Sequence, residues 1–407
     1  MDRRPKLSAH FTRLWLASAV SNVGDGITLA AGPLLLASLT DDPVLIAGAV
    51  FAQQLPWLLF SLVSGAYADR LDRRRLIIGV NVARGLVLGT VAVAIAAGAI
   101  AIPVVYAAVF LLGTAETLAD SASSALLTSV VPPEDLPRAN ARLSGTFIVA
   151  NQFLGPPVGA YLFVVAAALP FGFDAATFMA AALLVATLPR RTGARAEAPG
   201  RTRLRTDIAE GLRWLWLHQT LRVLYVCLCL MNLTFVAAFA TYVLYARERL
   251  GLGPLGFGVL ISVSSVGGVL GSLVASRLEA RFGMAALLRT GLVIETSTHL
   301  VLAVTRSPWV VGVTMTIFGV HAVVWGVVTM SLRQRVVPDH LLGRVTSVAF
   351  LLSNGGSLGG ALVGGLVAGA YGLVAPFWLA FGAMVVLTAT VWRRFAPVNV
   401  ETASVAA

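Results

Sequence analysis

Residues 65–75 have the sequence Gly-Ala-Tyr-Ala-Asp-Arg-Leu-Asp-Arg-Arg-Arg, and they connect two apolar runs, 44–67 and 76–98. Each run exceeds the about 20 residues that an α-helix needs to cross the hydrocarbon core of a bilayer. Four of the eleven residues in the connection are arginine, and arginine concentrates in the cytoplasmic loops of membrane proteins. The stretch therefore predicts a short cytoplasmic loop between two membrane-spanning helices.

The composition of the whole chain supports a membrane protein. Of the 407 residues, 57% are hydrophobic and 12% are charged, whereas soluble domains average about 45–50% apolar and about 25% charged residues. A soluble chain of this length could not bury so much apolar surface. Soluble enzymes, nucleic-acid-binding proteins and disulfide-rich secreted scaffolds are therefore excluded. The two cysteines, Cys227 and Cys229, indicate neither a disulfide nor a metal site.

Twelve apolar runs are long enough to span a bilayer, and we interpret the first as a span rather than a cleaved signal peptide because it is too long for a signal core. The predicted spans are 12–39, 44–67, 76–98, 103–130, 144–168, 171–188, 221–245, 256–276, 285–304, 309–330, 346–370 and 374–392.

The positive charges predict the orientation of these spans. If the N-terminus is cytoplasmic, 26 of the 30 Lys and Arg residues lie in cytoplasmic segments or helix ends, three lie outside, and Arg84 alone lies within a span. This distribution follows the positive-inside rule. It predicts a multi-pass protein of the plasma membrane with both termini in the cytoplasm.

The two halves of the chain share short motifs at a constant offset. Val130-Val131-Pro132 matches Val336-Val337-Pro338, and the segments 65–72 and 272–279 show a weaker match at nearly the same shift. Parallel repeats with a site between them are typical of one transporter architecture.

The fold class predicted is all-α and integral to the membrane, with twelve transmembrane helices in two parallel six-helix repeats around a central cavity. The predicted domains are a first half, 1–188; a basic linker with a short surface helix, 189–219; a second half, 220–395; and a cytoplasmic tail, 396–407.

The loop 65–75, together with the twelve spans and the repeat, resembles the signature loop of the major facilitator superfamily. The segments 22–26 and 54–57 are similar to its drug and siderophore efflux branch, which contains the enterobactin exporter and macrolide or tetracycline efflux proteins. The resemblance implies that helices 1, 4, 7 and 10 line the cavity. It also implies that one group of loop residues latches the cytoplasmic side when that side is shut: Gly65, Asp69, Arg70, Arg73 and Arg74. The alternative is anchoring by the positive-inside rule, which does not account for Asp69 because acidic residues gain nothing as anchors.

Predicted helix 5 contains Gly155-Pro156-Pro157-Val158-Gly159. This segment resembles the Gly-Pro motif of superfamily exporters, which implies a hinge formed by Gly155, Pro156 and Gly159. Glycine permits close helix contact and proline weakens the helical hydrogen bonding. The alternative is tight packing without gating. Glycines of predicted helix 11 (Gly355, Gly359, Gly360 and Gly364) form a comparable face.

Ionisable residues within spans are costly and are candidates for function. At about 1.5 Å per residue, Asp25 and Glu116 both lie ~21 Å from the cytoplasmic end of their helices, near the midplane. We expect these two to form an acidic site that binds protons or a cationic substrate. We expect Arg84 and Asp120 to form a structural ion pair, because buried charges usually pair.

Polar and aromatic residues of helices 7 and 10 are candidates for the cavity wall. The repeat offset maps Asp25 onto Asn232, and the other candidates are Tyr242, His321 and Trp325. The alternative is that these side chains simply pack in the interior. Glu295 and His299, four residues apart in predicted helix 9, indicate a local polar pair rather than a site.

These features predict a secondary transporter that exports an amphipathic organic compound in exchange for protons by alternating access. Its predicted partners are a small molecule, protons and the lipid bilayer; nucleic acid, metal, cofactor and catalytic residues are not expected, and the protein is expected to be a monomer. The alternatives are an importer on the same fold, a receptor or scaffold without transport, and a membrane enzyme. The last would need clustered carboxylates for a metal, and only the adjacent pair Asp41-Asp42, in an outer loop, is present.

Overall fold

A computed structural model describes residues 7–189 and 204–395; for 62–70, 204–208 and Asp339 it describes the backbone but not the side chain. The predicted tail, 396–407, and most of the predicted flexible linker therefore lie outside the described residues. Within the described ranges the protein is all-helical, without a strand. This confirms the predicted all-α membrane fold at that level.

The helices of the first half follow the predicted apolar runs closely. They are α1 (Ala9–Leu39), α2 (Pro43–Arg70), α3 (Arg73–Ala96), α4 (Ile102–Val130), α5 (Leu136–Thr146), α6 (Gly155–Val165) and α7 (Leu169–Ala186). A π-helical segment, Phe147–Leu154, joins α5 to α6. Two helix starts are capped by side chains, because Ser8 accepts a hydrogen bond from the Phe11 amide and Asp72 accepts one from the Arg75 amide.

The second half is connected to the first by a surface helix and continues in the same way. Its helices are α8 (Leu204–Leu217), α9 (Gln219–Phe239), α10 (Tyr242–Leu244), α11 (Pro254–Val304), α12 (Pro308–Val336), α13 (Asp339–Tyr371) and α14 (Ala375–Val391). Helix α11 is 51 residues long, but Gly283 breaks it with φ 74° and ψ 161°. A residue with a side chain is strained at that positive φ, so glycine is suited to the break.

Within the described ranges, ten helices are long and apolar enough to cross a membrane. The prediction of twelve spans differs from this number at two places. The ten include the whole of Pro254–Val304 as one helix, and they leave out Ala375–Val391, which is apolar but shorter. The break at Gly283 falls between the predicted spans 256–276 and 285–304.

The chain forms two compact units. Of the described residues, the first unit contains 7–40, 52–189 and 253–262, and the second contains 41–51, 204–252 and 263–395. Each unit has its own hydrophobic core: buried residues of the first include Phe11 and Ile77, and those of the second include Leu224 and Trp325. The start of α2 thus packs with the second unit and the start of α11 with the first.

The π-helical segment has a local cause. Pro156 and Pro157 lack the amide hydrogens that would bond the carbonyl groups one turn earlier, so the regular α-helical ladder cannot continue through this region. The widened turn packs on α1, because a Cβ placed on Gly26 would lie 2.5 Å from the Asn151 carbonyl oxygen. The predicted hinge residues Gly155, Pro156 and Gly159 therefore lie at the start of the regular helix α6, directly after an irregular segment that packs against α1.

Close helix packing requires two of the three predicted hinge residues. A Cβ on Gly159 would lie 2.0 Å from the Ile27 carbonyl oxygen, and one on Gly155 would lie 2.5 Å from Gly26 backbone atoms. On α13 the closely packed glycines are Gly356, Gly360 and Gly364, which meet the backbone of α9. The predicted face was partly wrong, since Gly355 has open space around it.

We expect Gly159→Ala to destabilise the protein, because a methyl group there must displace the backbone of α1. Inserting atoms into a packed interior costs about 1–3 kcal/mol. Gly145→Ala is the matched control, since a Cβ at Gly145 meets nothing within 4 Å. The temperature at which half of the detergent-purified protein loses its monodisperse gel-filtration peak measures the effect. Equal midpoints for the two variants would contradict the packing described.

The predicted surface helix is present as α8 and is amphipathic. Leu215 is fully buried, whereas Trp216 and Leu217 are exposed. Glu210 forms an ion pair with Arg344 of α13, and Gly211 allows close approach, because its Cβ would lie 2.9 Å from Arg344 backbone atoms. Helix α8 is therefore a docked part of the second unit.

Candidate functional site

A buried charge cluster lies among helices α1, α3 and α7 of the first unit. Arg84 Nη2 of α3 donates to Asp25 Oδ1 of α1 at 2.9 Å. The Arg84 side chain is 10% exposed and the Asp25 side chain 28%. The ring of Phe178 lies under the guanidinium, with its centroid 4.1 Å from Arg84 Cζ. A salt bridge of this depth in a membrane-spanning helix is a candidate site for transport.

The third member of the cluster is Asp174 of α7, which is 1% exposed. Thr28 Oγ1 donates to Asp174 Oδ2 at 2.8 Å, and Thr177 Oγ1 donates to Asp174 Oδ1 at 3.1 Å. Gly24 makes this approach possible, because a Cβ there would lie 2.1 Å from both Asp174 Oδ1 and Thr177 Oγ1. The segment Asn22–Gly26 thus places Asp25 at the salt bridge and opens the space for Asp174.

Asp174 was missed by the sequence analysis. It lies inside the predicted run 171–188, only three residues from its start. The criterion applied to Asp25, an ionisable residue within a span, could have found it.

One expected pairing of the charges was wrong. The sequence paired Arg84 with Asp120, whereas the structure pairs Arg84 with Asp25, and Asp120 is exposed. The reason is that distance along a helix axis gives depth in the membrane but not the direction in which a side chain points. The expected acidic site of Asp25 and Glu116 stays a prediction; the Glu116 side chain takes a hydrogen bond from the Trp57 side chain.

Two carboxylates lie close to the Arg84 guanidinium. Asp25 bonds Arg84 directly, and Asp174 lies beside the pair without a cation bonded to it among the described residues. The Arg84 Nε atom is buried and has no hydrogen-bond partner among the described residues. The cluster of Asp25, Arg84 and Asp174 therefore contains two carboxylates, one guanidinium and an unused donor.

The predicted latch residues divide into two groups. Gly65, Asp69 and Arg70 lie in α2, but their side chains are outside the described part, so their role stays a prediction. Arg73 Nη1 donates to the Ala125 carbonyl of α4 at 3.1 Å. Arg74 donates to the carbonyls of Val185 and Ala186, at the end of α7. These two arginines therefore bond helix ends within the first unit, where a positive charge is favourable.

The predicted cavity residues are mostly buried within the second unit. Tyr242, His321 and Trp325 are 8%, 5% and 5% exposed. Asn232 Nδ2 donates to the Leu228 carbonyl at 2.8 Å, and Ser357 of α13 donates to Asn232 Oδ1 at 3.5 Å. These contacts fit the alternative of interior packing, and a place in the cavity wall stays a prediction.

The pair Glu295 and His299 has a third member. His321 Nε2 lies 3.2 Å from Glu295 Oε2, and His299 Nε2 lies 3.6 Å from Glu295 Oε1. The two residues of α11 are thus joined to α12. Among the described residues, no group of three or more His, Cys, Asp or Glu side chains could hold a metal ion.

The chain is similar to known membrane transporters over nearly its whole length. Residues 4–406 match the family described as transmembrane secretion effector. The multidrug efflux pump Tap of Mycolicibacterium fortuitum is 26% identical over 383 residues, which are 89% of this chain and 90% of that protein. An uncharacterized MFS-type transporter of Mycobacterium tuberculosis is 37% identical over 154 residues; this match spans 36% of the chain but only 35% of the length of that relative.

Solved transporter structures share the fold. The nucleoside transporter NupG has a TM-score of 0.74 at 14% identity, covering 95% of this chain and 99% of that chain. A bacterial homologue of the iron transporter ferroportin, in its inward-facing state, has a TM-score of 0.75 at 17% identity, covering 96% and 99%. At such identities the likeness shows the fold alone. The family match shows that the chain belongs to the transmembrane secretion effector family of the major facilitator superfamily.

Proposed function

We propose that the protein exports an amphipathic organic compound across the plasma membrane in exchange for protons. In this proposal twelve spans form two parallel six-helix repeats around a central cavity, both termini are cytoplasmic, and a monomer works by alternating access. The break at Gly283 and the apolar helix Ala375–Val391 support twelve spans rather than ten.

The observation that carries the proposal is the charge imbalance around Arg84. Asp25 bonds this single guanidinium, and a second carboxylate, Asp174, is held beside the pair by two threonine hydroxyls, without a cation bonded to it among the described residues. An uncompensated carboxylate within a membrane is costly, so the surplus negative charge favours binding of a proton or of a cationic group. A site that binds either a proton or a cationic group, but not both at once, releases one when it binds the other and so exchanges them.

The geometry assigns a role to each member of the cluster. Asp25 is more exposed than Asp174, so we assign Asp25 as the carboxylate that meets the substrate or the proton. Arg84 holds Asp25 through a direct bond, and Asp174 is fixed by two threonine hydroxyls beside them. We assign Glu116, at intermediate exposure on α4, to the same acidic site.

The direction of transport is proposed from the similarity to the efflux pump Tap and from the efflux-branch resemblance of the segments 22–26 and 54–57. An importer on the same fold would use the same cluster. In the proposed exporter, Asp69 and Arg70 contribute to a latch on the cytoplasmic side.

A resistance assay tests the proposed function. We expect expression of the protein in a bacterial strain without its own efflux pumps to raise the inhibitory concentration of at least one compound in a panel that includes ethidium and tetracycline. Everted vesicles, whose cytoplasmic face is outside, should take up that compound when their lumen is acidic. Unchanged resistance across the panel, or accumulation only in right-side-out vesicles, would contradict export.

A further inference from the structure

The second unit contains a buried acid–histidine triad, Glu295, His299 and His321, whose side chains are 2%, 0% and 3% exposed. Glu295 and His299 lie on α11 after the break at Gly283, and His321 lies on α12. The triad is separate in sequence and in fold from the Arg84 cluster, which lies in the first unit. The function proposed above does not use it.

The charge balance of the triad requires a bound proton. An ionised carboxylate that is 2% exposed needs a positive partner or a proton. With one proton shared between Glu295 and His321, whose atoms Oε2 and Nε2 are 3.2 Å apart, the triad is neutral overall.

His299 offers a place for a second proton. His299 Nε2 lies 3.6 Å from Glu295 Oε1, slightly beyond hydrogen-bond distance, and neither atom has a hydrogen-bond partner among the described residues. A protonated His299 could donate to this free oxygen after a shift of a few tenths of an ångström. The two imidazoles would then bind different oxygens of one carboxylate.

The same geometry disfavours a metal ion. A metal needs its ligand atoms directed at one point, whereas here each histidine nitrogen faces its own carboxylate oxygen. The proton is therefore the ligand that fits the triad.

The surroundings of the triad are uncharged. His321 meets the rings of Phe318 and Trp325 edge to face, each at a centroid distance of 5.8 Å. The titratable side chains of α9 in the surrounding core are Tyr225 and Cys227, which are neutral types at physiological pH.

The charged groups on the packed helices lie well away from the triad. Arg289 lies six residues before Glu295, about 9 Å along the helix axis, and donates to the Trp392 carbonyl beside α14. Arg333 and Arg335 of α12 lie at least twelve residues beyond His321, or about 18 Å. No described charge other than the triad's own therefore compensates Glu295 at close range.

We propose that Glu295, His299 and His321 form a proton-binding site in the second unit, independent of the Arg84 cluster. Binding itself does not depend on the transport proposal; only the use of this proton to drive transport rests on it. The site connects α11 to α12, and Gly291 lets it pack tightly, because a Cβ there would lie 2.7 Å from Trp325 Cε3 and 2.8 Å from His321 Cε1. A change of charge at the triad is thus positioned to alter the contact between these two helices.

Trp325 provides a direct optical test, because a protonated imidazole beside an indole quenches its fluorescence. The emission of Trp325 is obtained as the difference between the unaltered protein and Trp325→Phe, both purified in detergent, over the pH range 5 to 8 in which histidine titrates. We expect this difference signal to fall as the pH is lowered. His321→Asn should abolish the pH dependence, and the isosteric Glu295→Gln should change its midpoint, because it removes the carboxylate that shares the proton with His321.

Two outcomes would overturn the proposal. The first is a difference signal that does not change between pH 5 and 8. The second is a pH dependence that persists in His321→Asn or disappears in Asp25→Asn, which would trace the signal to other groups. The proton site can be present in a protein that fails every transport assay, and an active transporter can lack the Trp325 titration, so the failure of one proposal is distinguishable from the failure of the other.

Discussion

Asp25→Asn is expected to abolish proton-driven transport while the protein still reaches the membrane. The substitution removes the only side chain bonded to Arg84 by a salt bridge among the described residues, and with it the carboxylate that exchanges a proton for substrate. Transport is measured as ethidium uptake into everted vesicles with an imposed pH gradient, normalised to the protein detected in the membrane. We expect the rate to fall by at least about tenfold, since coupling through a buried charge is worth more than about 1.4 kcal/mol.

Asp25→Glu is the matched control for this variant. It keeps the negative charge but moves it by one methylene group, so part of the transport should remain. Full transport by Asp25→Asn would remove Asp25 from the mechanism. Equal loss in both variants would indicate that the geometry at Arg84, rather than the charge, limits transport.

Arg84→Met is expected to destabilise the protein strongly, and the second substitution Asp25→Asn should restore most of that stability. Removing one partner of a buried ion pair costs about 3–5 kcal/mol because the other charge is left without compensation. Replacing both partners also removes the charge of Asp25, the carboxylate bonded to Arg84, while Asp174 keeps its two threonine hydrogen bonds. The readout is the midpoint temperature for loss of the monodisperse gel-filtration peak, compared in a double-mutant cycle.

The same pair of variants separates stability from function. The double variant should be stable but inactive in the vesicle assay, because it lacks both coupling groups. A double variant no more stable than Arg84→Met alone would contradict the direct pairing of Arg84 with Asp25.

The membrane fold was predictable because its signal is strong and local. Each span needs about 20 apolar residues, and a run such as 76–98 stands out against the arginines before it. The two differences in the number of spans have simple causes. Helix α11 continues through the charged segment between the two predicted spans as far as the break at Gly283, and α14 is only 17 residues long. Hydropathy placed a boundary between spans beside this break because Arg277, Glu279 and Arg281 interrupt the apolar run.

The candidate site was only partly predictable. The positions of Asp25 and Arg84 within predicted spans identified both as costly and therefore functional residues. The sequence did not indicate that the two side chains bond each other. That contact depends on how α1 and α3 are rotated about their axes, and on Gly24, which admits Asp174. The contact between His321 and Glu295 was missed for the same reason. His321 lies on α12 and Glu295 on α11, and the two meet through helix packing, which spacing along the chain does not encode.

Proton movement on addition of substrate tests the central claim most directly. Everted vesicles are first acidified inside, and the pH gradient is followed with an acridine dye whose fluorescence is quenched by it. Addition of a compound to which the protein confers resistance, for example ethidium or tetracycline, should partly restore the dye fluorescence as protons leave in exchange, and Asp25→Asn vesicles should show no such recovery. Substrate uptake without any loss of the gradient, or equal recovery in the variant, would contradict proton exchange at the Asp25–Arg84 cluster.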